Sequence, residues 1–555
     1  MQNSTEPAQP WLAQYPPDIS LEPSALLEHG TLVAAWAARC HAAPDRAALR
    51  YFDGALTAAE LDAVSDALAA ALQDRGVAKG DRVGVRLQNV PHFPIAMLAL
   101  WKIGAAVLLV NPMYQKRELR RLVDDSGAVG LIVDEHGLAE ATESVEGSTV
   151  SWLLSSSSLD HQTRNDERVF ADASRVETDA DITALVEQFA DRRPEPVDVG
   201  PDDVALLTYT SGTTGPPKGA MNTHANVLAV AGSYASWVAL APGDVVLAIA
   251  PIFHITGAVI NATLALLHDT TLVLVGRFRP DVVLDAFAEH GVTFTIGSIT
   301  AFNALAAVPH ADRGHFVSVR YLYSGGAPIP PATIERFQER FGHYIHNVYG
   351  MTETSSGVVA VPRERQAPVH EASGTLSVGV PLPGTFARVV DPQGEAVPYG
   401  EQGELELSGP AVVPGYWNNP EETERTMPGG RLRTGDGAIM DEDGYVFLVD
   451  RLKDQINVSG YKVWPREVED VLYEHGAVHE AAVVGRSDDY KGEIVIAFVS
   501  LEEGATVEPA ELVAFVRERL AAYKCPQEVV IIDDLPKTQT GKIRRKELRD
   551  DLAAS

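Results

Sequence analysis

Val204 to Gly219 read VALLTYTSGTTGPPKG. A β-rich apolar run, Val204–Leu207, leads into glycines, Ser and Thr hydroxyls, a proline pair and one lysine. The helix-like run Ala225–Val238 follows, so the loop lies where a strand leaves a sheet and the chain turns back. Glycines let backbone approach a ligand closely, and hydroxyls with free N–H groups can surround phosphate oxygens. Lys218 can set a point charge on terminal phosphates. An ordinary flexible loop is the plain alternative, but Pro216–Pro217 stiffens the chain just before the lysine. The stretch is not a Walker A loop either, since Pro217 precedes Lys218 and Gly219 follows it.

With 555 residues the chain exceeds one ordinary core, so two or more domains are expected. Its 45% hydrophobic and 22% charged residues are ordinary for a globular protein. A formal net charge of −31 disfavours nucleic acid and anionic membranes as partners, so polyanionic ligands would need locally gathered positive charge. Cys40 and Cys525 alone exclude a disulfide framework and fit a reducing, cytoplasmic compartment. The N-terminus carries no signal-peptide pattern. The apolar runs Ile95–Val110 and Val245–Leu267 are short or interrupted, which predicts buried core and no transmembrane segment.

From about Asp81 to Glu353 short β-rich runs alternate with amphipathic helical ones. The fold class this predicts is α/β, a parallel sheet with helices on its faces and ligands beyond the carboxyl ends of the strands. VALLTYT, VRYLYSGG and YIHNVYG each end in a candidate loop, and those loops are expected to face one crevice. From about 380 to 450 the texture becomes short β runs with turns, a small antiparallel or β-barrel-like subdomain. A small α+β domain is expected over 451–555, after a large N-terminal domain over 1–450.

Several positions suggest chemistry, each beside a plainer reading. Lys537–Arg549 (KTQTGKIRRKELR) gathers six bases against Glu547, either a functional patch or a solvated helix face. Lys542 stands out because Thr540–Gly541 places it on a tight turn. Asp436 in RTGD can accept from ribose hydroxyls or form an Asx turn. Thr352 and Glu353 offer a hydroxyl and a hard oxygen ligand suited to Mg²⁺ with phosphates. His254 in PIFHITG is catalytic or structural. No zinc spacing and no nucleophile elbow is present.

YTSGTTGPPKG, SGGAP, YGMTET, RTGD, DRLKDQINVSGYKV and PKTQTGK occur in the order and rough spacing of the adenylate-forming enzymes, which the chain resembles over nearly its whole length. That family contains acyl-CoA synthetases, peptide-synthetase adenylation domains and beetle luciferases. The resemblance implies ATP, Mg²⁺ and coenzyme A as co-substrates and cofactors. It assigns Thr210, Ser211, Gly212, Thr213, Thr214, Gly215 and Lys218 to the phosphate loop. Gly325, Gly326, Ala327 and Pro328, with Asn347, Val348, Tyr349 and Gly350, match the adenine platform. Thr352 would touch the α-phosphate and Glu353 the Mg²⁺. Asp436 and Arg451 match ribose contacts, Lys453 the hinge of the mobile small domain, and Lys542 the lysine bridging carboxylate and α-phosphate. Ser459, Gly460 and Tyr461 match the pantetheine tunnel.

The acid pocket implied by position holds His254, Ile255, Thr256, Gly257, Ile299, Phe302, Ala327, Met351 and Gly357. Its mostly apolar lining suits an alkyl chain at about 0.8 kcal/mol per buried methylene. PWLAQYPPDIS, NPMYQKRELRRLVDDSGA and SGYKVWPREVEDVL look most like bacterial long-chain fatty acid–CoA ligases. An aryl (cinnamate-like) CoA ligase and a fatty acyl-AMP ligase loading a carrier protein are the alternatives, and a homodimer is left open. Peptide-synthetase and luciferase readings fit less well: His254 stands near the usual amine-binding aspartate and Asn457 where luciferases carry lysine. A catalytically dead nucleotide sensor is opposed by the joint presence of Lys218, Glu353, Asp436 and Lys542.

Overall fold

The structure, a computed structural model, describes residues 9–554 apart from 22–24, 172, 211–216, 328, 372–373, 452–453, 455, 459–460, 489–491 and 539–542. At 25–26, 450–451, 457, 461–462, 492 and 553–554 only the backbone is described. Among the described residues four sheets form. One has six strands in the order Trp152–Ser156, Gly130–Asp134, Arg82–Arg86, Ala106–Leu109, Val204–Thr210 and Lys218–Thr223. All its pairings are parallel except the last. The other large sheet has nine strands, with Val245–Leu247, Phe294–Gly297, Tyr321–Gly325 and Ile345–Met351 as its parallel centre.

The structure adds two features that the sequence reading left open. On either side of the Gly-rich stretch Val204–Thr210 and Lys218–Thr223 pair antiparallel as a β-hairpin, Thr210 opposite Lys218. Only after Thr223 does the helix His224–Trp237 begin, capped by a reciprocal Thr223–Asn226 box. The three candidate loops stand at strand ends of two sheets, the hairpin on the six-stranded one and SGGAP and MTET on the nine-stranded one, so the expected crevice would lie between the two.

Apolar burial explains the joint. Trp36, Trp101 and Trp237 are each at most 1% exposed within a core shared by both sheets and their helices. The run Val245–Leu267 is a strand and then a buried helical stretch, no helix of the described residues being long and apolar enough to cross a membrane. Gly257–Thr263 within it is π-helical, with the Thr263 hydroxyl donating 2.7 Å to the Ala258 carbonyl, five residues back. Such wide turns gather at functional sites.

The β-rich texture after Val380 becomes a four-stranded antiparallel meander, Phe386–Val390, Gln402–Ser408, Leu432–Met440 and Val446–Arg451. The C-terminal sheet joins Val478–Asp488, Gly492–Leu501 and shorter strands, flanked by helices that Pro465 and Pro509 open. Its own apolar core includes Val468, Leu472, Val483 and Val499.

Candidate active site

The hairpin sets Thr210 and Lys218 opposite each other at the end of the six-stranded sheet. Lys218 Nζ pairs with Glu422 and lies 5.4 Å from the centre of the Tyr416 ring. The Arg425 guanidinium, bonded at 2.8 Å, and then Lys218 hold the Glu422 carboxyl down at about 2. Tyr416 donates its hydroxyl 2.7 Å to Glu353, which is 6% exposed. The lysine expected at the phosphates and the carboxylate expected at the metal are thus joined through two residues outside every motif.

Asn222, wholly buried on the hairpin's second strand, ties the sheets together. Its amide donates 3.0 Å to the Thr352 carbonyl and 2.9 Å to the Ser355 hydroxyl. Beyond Thr352 the backbone is forced: Ser355 has φ 52° and Ser356 φ 115°, left-handed values that cost a non-glycine residue on the order of 1–3 kcal/mol. The Thr354 hydroxyl pins this turn, its one proton lying between the carbonyls of Met351 at 3.0 Å and Ser356 at 2.7 Å.

Gly325 pairs with Val348 across neighbouring parallel strands, and a Cβ on Gly325 would stand 2.6 Å from the Val348 carbonyl oxygen. Gly326 follows at φ 85°, and Ala327 closes the described part of SGGAP. The Asn347 amide is spent on the Ser377 carbonyl at 3.1 Å, which makes that side chain a structural tie. Tyr349, two residues on, donates 2.6 Å to Asp436. Asp436 faces Arg451 in strand register, and Glu404 fixes the RTGD turn by accepting from Gly435 N and Arg433 Nε, both at 2.9 Å.

His254, half-buried, heads the helix whose wide turn was described above, and Thr256 N donates to its Nδ1 at 3.4 Å. Asn89, just past the strand Arg82–Arg86, clamps the segment before it, accepting from Ile252 N at 2.8 Å and donating to Ala248 O at 2.9 Å. Ile255 is 1% exposed, Thr256 and Met351 are partly exposed, and Ile299 is 8% exposed. Gly257 is required by packing, because a Cβ there would stand 2.1 Å from the Pro251 carbonyl oxygen. Phe302, expected in the pocket, packs edge-on against Phe337 at 5.9 Å with no exposure. At Gly357 a Cβ would meet Val348 at 2.6 Å, Ile260 at 3.4 Å and Tyr234 at 3.6 Å.

Ser211, Gly212, Thr213, Thr214, Gly215, Pro328, Lys453, Ser459, Gly460 and Lys542 lie outside the described residues, as do the side chains of Arg451 and Tyr461. The basic segment around Lys542 is not a free positive patch. Arg545 pairs with Glu469 at 2.6 Å, Arg549 with Asp454 at 2.9 Å, Arg544 with Glu547 at 2.6 Å, and Lys537 with Glu480 and Asp534 at 2.7 Å each. Asn89, Asn222, Glu404, Tyr416 and Glu422 escaped the sequence reading. The Asn419–Pro420 helix start beside Glu422 was the only local sign.

Lys218, the buried Glu353, the Gly325–Gly326 step and Asp436 are the residues that the sequence reading expected around a nucleotide. The AMP-binding enzyme family matches residues 36–417 and the AMP-binding enzyme C-terminal domain matches residues 467–542. The chain belongs to that family and, within it, to the adenylate-forming acyl-CoA ligases, which are acid–thiol ligases. It is 35% identical to a long-chain-fatty-acid–CoA ligase of Bacillus subtilis (strain 168), over 98% of each chain. It is 37% identical to a feruloyl-CoA synthase of Amycolatopsis, over 92% of this chain and 97% of that one. The ATP-bound MatB structure from Rhodopseudomonas palustris superposes with TM-score 0.82 at 28% identity, covering 94% of this chain and 98% of the other.

Proposed function

We propose that the enzyme activates an apolar carboxylic acid, a medium- or long-chain fatty acid, as its acyl-AMP and then passes the acyl group to coenzyme A. The observation that carries this reading is the Lys218–Glu422 and Tyr416–Glu353 pairing across the crevice. In the first step a carboxylate oxygen attacks the α-phosphorus of ATP and pyrophosphate leaves. The barrier is mainly the approach of like charges, so positioned cations do most of the work. Lys542 would bridge the two anions, Lys218 would exchange Glu422 for the terminal phosphates, and Thr352 would hold the α-phosphate.

Glu353 fits a Mg²⁺ site: one oxygen accepts from Tyr416, and a carboxylate offers a second hard oxygen to a cation. The ion would supply charge neutralisation at the phosphates. Tyr349 with Gly325–Pro328 would seat adenine, and Asp436 with Arg451 the ribose. His254 would close the pocket at the reacting carboxyl. In the second step the thiolate of coenzyme A, admitted past Ser459–Tyr461, attacks the acyl carbon and AMP leaves. Lys542 and Gly460 serve different steps from one domain over 451–555, which must turn about Lys453.

One experiment tests the whole reading: ATP, Mg²⁺ and C4–C18 fatty acids or cinnamates, with and without coenzyme A, followed by mass spectrometry. Long-chain acyl-CoA is the expected product, and Lys453→Pro should spare pyrophosphate release while slowing the thioester. Acyl-AMP that accumulates with coenzyme A present would move the enzyme to carrier-protein loading. A second reading, an aryl acid, is favoured by Val348, Ile260 and Tyr234 closing in behind Gly357.

A further inference from the structure

Asp285, His310 and His315 stand outside every motif of the candidate active site, yet each brings one ligand atom within 4.8 Å of the other two. They come from three segments: the helix Pro280–His290, the link that follows the helix Ile299–Ala307, and the short 3₁₀ helix Arg313–Phe316. No short ligand spacing announces them in sequence, and packing is what assembles them. Phe316, beside His315, is wholly buried and lies 4.9 Å from Phe287, two positions after Asp285. Val308 and Ala311 are buried and anchor the link on which His310 stands exposed. Core contacts therefore hold the backbone beneath all three side chains.

The neighbours of these groups leave lone pairs for a cation. His315 Nδ1 is 2.8 Å from Asp312 Oδ1, and a carboxylate there takes the Nδ1 proton, which puts the ring's lone pair on Nε2. The 3.3 Å approach of Asp312 N to the same nitrogen is the weaker claim on it. Metal-ligating histidines are oriented by carboxylates in this way. Asp285 accepts from Arg168 at 2.7 Å through Oδ2, and its Oδ1 has no hydrogen-bond partner among the described residues. Arg168 is held separately by Asp166 at 2.7 and 3.0 Å, so its place does not depend on Asp285. The His310 ring stands 5.9 Å from that of His315 and makes no hydrogen bond among the described residues.

We infer that Asp285, His310 and His315 bind one divalent transition cation of the zinc type, through two imidazole nitrogens and a carboxylate oxygen, with water in the fourth place. A tetrahedral ion wants its ligand atoms about 3.3 Å apart, a closure that rotation of the exposed His310 can supply. The ion would tie the end of the helix Ile299–Ala307, whose first residue is an expected wall of the acid pocket, to the helix Pro280–His290. Mg²⁺ is hard and keeps to oxygen ligands, so this site is separate from the one proposed at Glu353. The inference stands whatever acid the enzyme activates.

The test titrates the untagged full chain, freed of metal by a chelator, with Zn²⁺ in a calorimeter under excess Mg²⁺, and with Co²⁺ followed by visible absorption. One Zn²⁺ per chain should bind, and Co²⁺ should give the intense bands of a four-coordinate ion. His310→Ala should abolish both signals, with circular dichroism showing that the variant keeps its fold. Asp312→Asn leaves all three ligands in place, so it should keep the one-ion step and weaken it by about 10–100-fold. Unchanged affinity in Asp312→Asn would contradict the orientation assigned to His315. The inference is overturned if the wild type shows no one-ion step, if that step survives His310→Ala unchanged, or if Co²⁺ gives only the weak bands of a six-coordinate ion.

Discussion

The crevice between the two large sheets and the basic segment near the C-terminus handle charge in opposite ways. At the candidate site Lys218 pairs with Glu422, Glu353 accepts from Tyr416 and Asp436 accepts from Tyr349, contacts that a nucleotide would replace or extend in the proposed reaction. Near the C-terminus Lys537, Arg544, Arg545 and Arg549 are matched with carboxylates, Arg545 to a Glu469 that is 4% exposed. A run of bases in sequence is therefore no measure of available positive charge. What counts is whether each cation keeps an exchangeable partner, and Lys542 is the one base there whose proposed task is chemical.

Mutations should separate the two regions by kind as well as size. Lys542→Ala should slow pyrophosphate release on the order of 10²–10³-fold, the usual loss when one electrostatic contact to a transition state is removed. A near-wild-type rate would return that lysine to the surface class of its neighbours. Tyr416→Phe removes the hydroxyl that donates to the buried Glu353 carboxylate, and a lost charge-assisted hydrogen bond is worth about 1.5–3 kcal/mol. Pyrophosphate release in that variant should fall by roughly tenfold or more, chiefly through kcat, in an initial-rate assay.

Arg545→Ala belongs to the other region. Stranding Glu469 should lower the stability of the C-terminal part by about 2–3 kcal/mol, less than for a fully buried pair because Arg545 is partly exposed. Chemical denaturation would show the shift. Pyrophosphate release per folded molecule should stay closer to wild type than in the Tyr416 variant, and the reverse order would erase the contrast.

A more gradual effect is the pH response of the sheet joint. Burial pushes His224 from 6.5 down to about 4, and Leu32 N donates to its Nδ1 at 3.3 Å, so the ring is held neutral. Its contribution is present above pH 6.5 and is lost as pH falls towards 4, where the unfolded chain binds the proton and the fold resists it. The loss is about 3 kcal/mol at most. Melting temperature followed from pH 7 to pH 4 should decline, and His224→Asn should flatten that part of the decline.

Much of the fold, and the placing of the candidate loops at strand ends, could be read from sequence because the informative residues are local. VALLTYT, VRYLY and YIHNVYG announce strands by composition, and their ligand loops follow directly. The hairpin could not be read, since KGAMNT is too polar at its start to signal a strand, and its pairing with Val204–Thr210 is what makes it one. The partners were hidden for another reason. Glu422 is 204 positions from Lys218, and Tyr416 is 63 from Glu353. Asn89 and Asn222 act by joining two sheets, and no local pattern marks an amide that will do so.

The central claim is that a carboxylate oxygen attacks the α-phosphorus in the crevice, and an isotope test reads that bond directly. With ¹⁸O-labelled acid, ATP and coenzyme A, one labelled oxygen should appear in the phosphate of AMP, with none in pyrophosphate. Label in inorganic phosphate, or unlabelled AMP formed alongside acyl-CoA, would contradict activation through an acyl-adenylate.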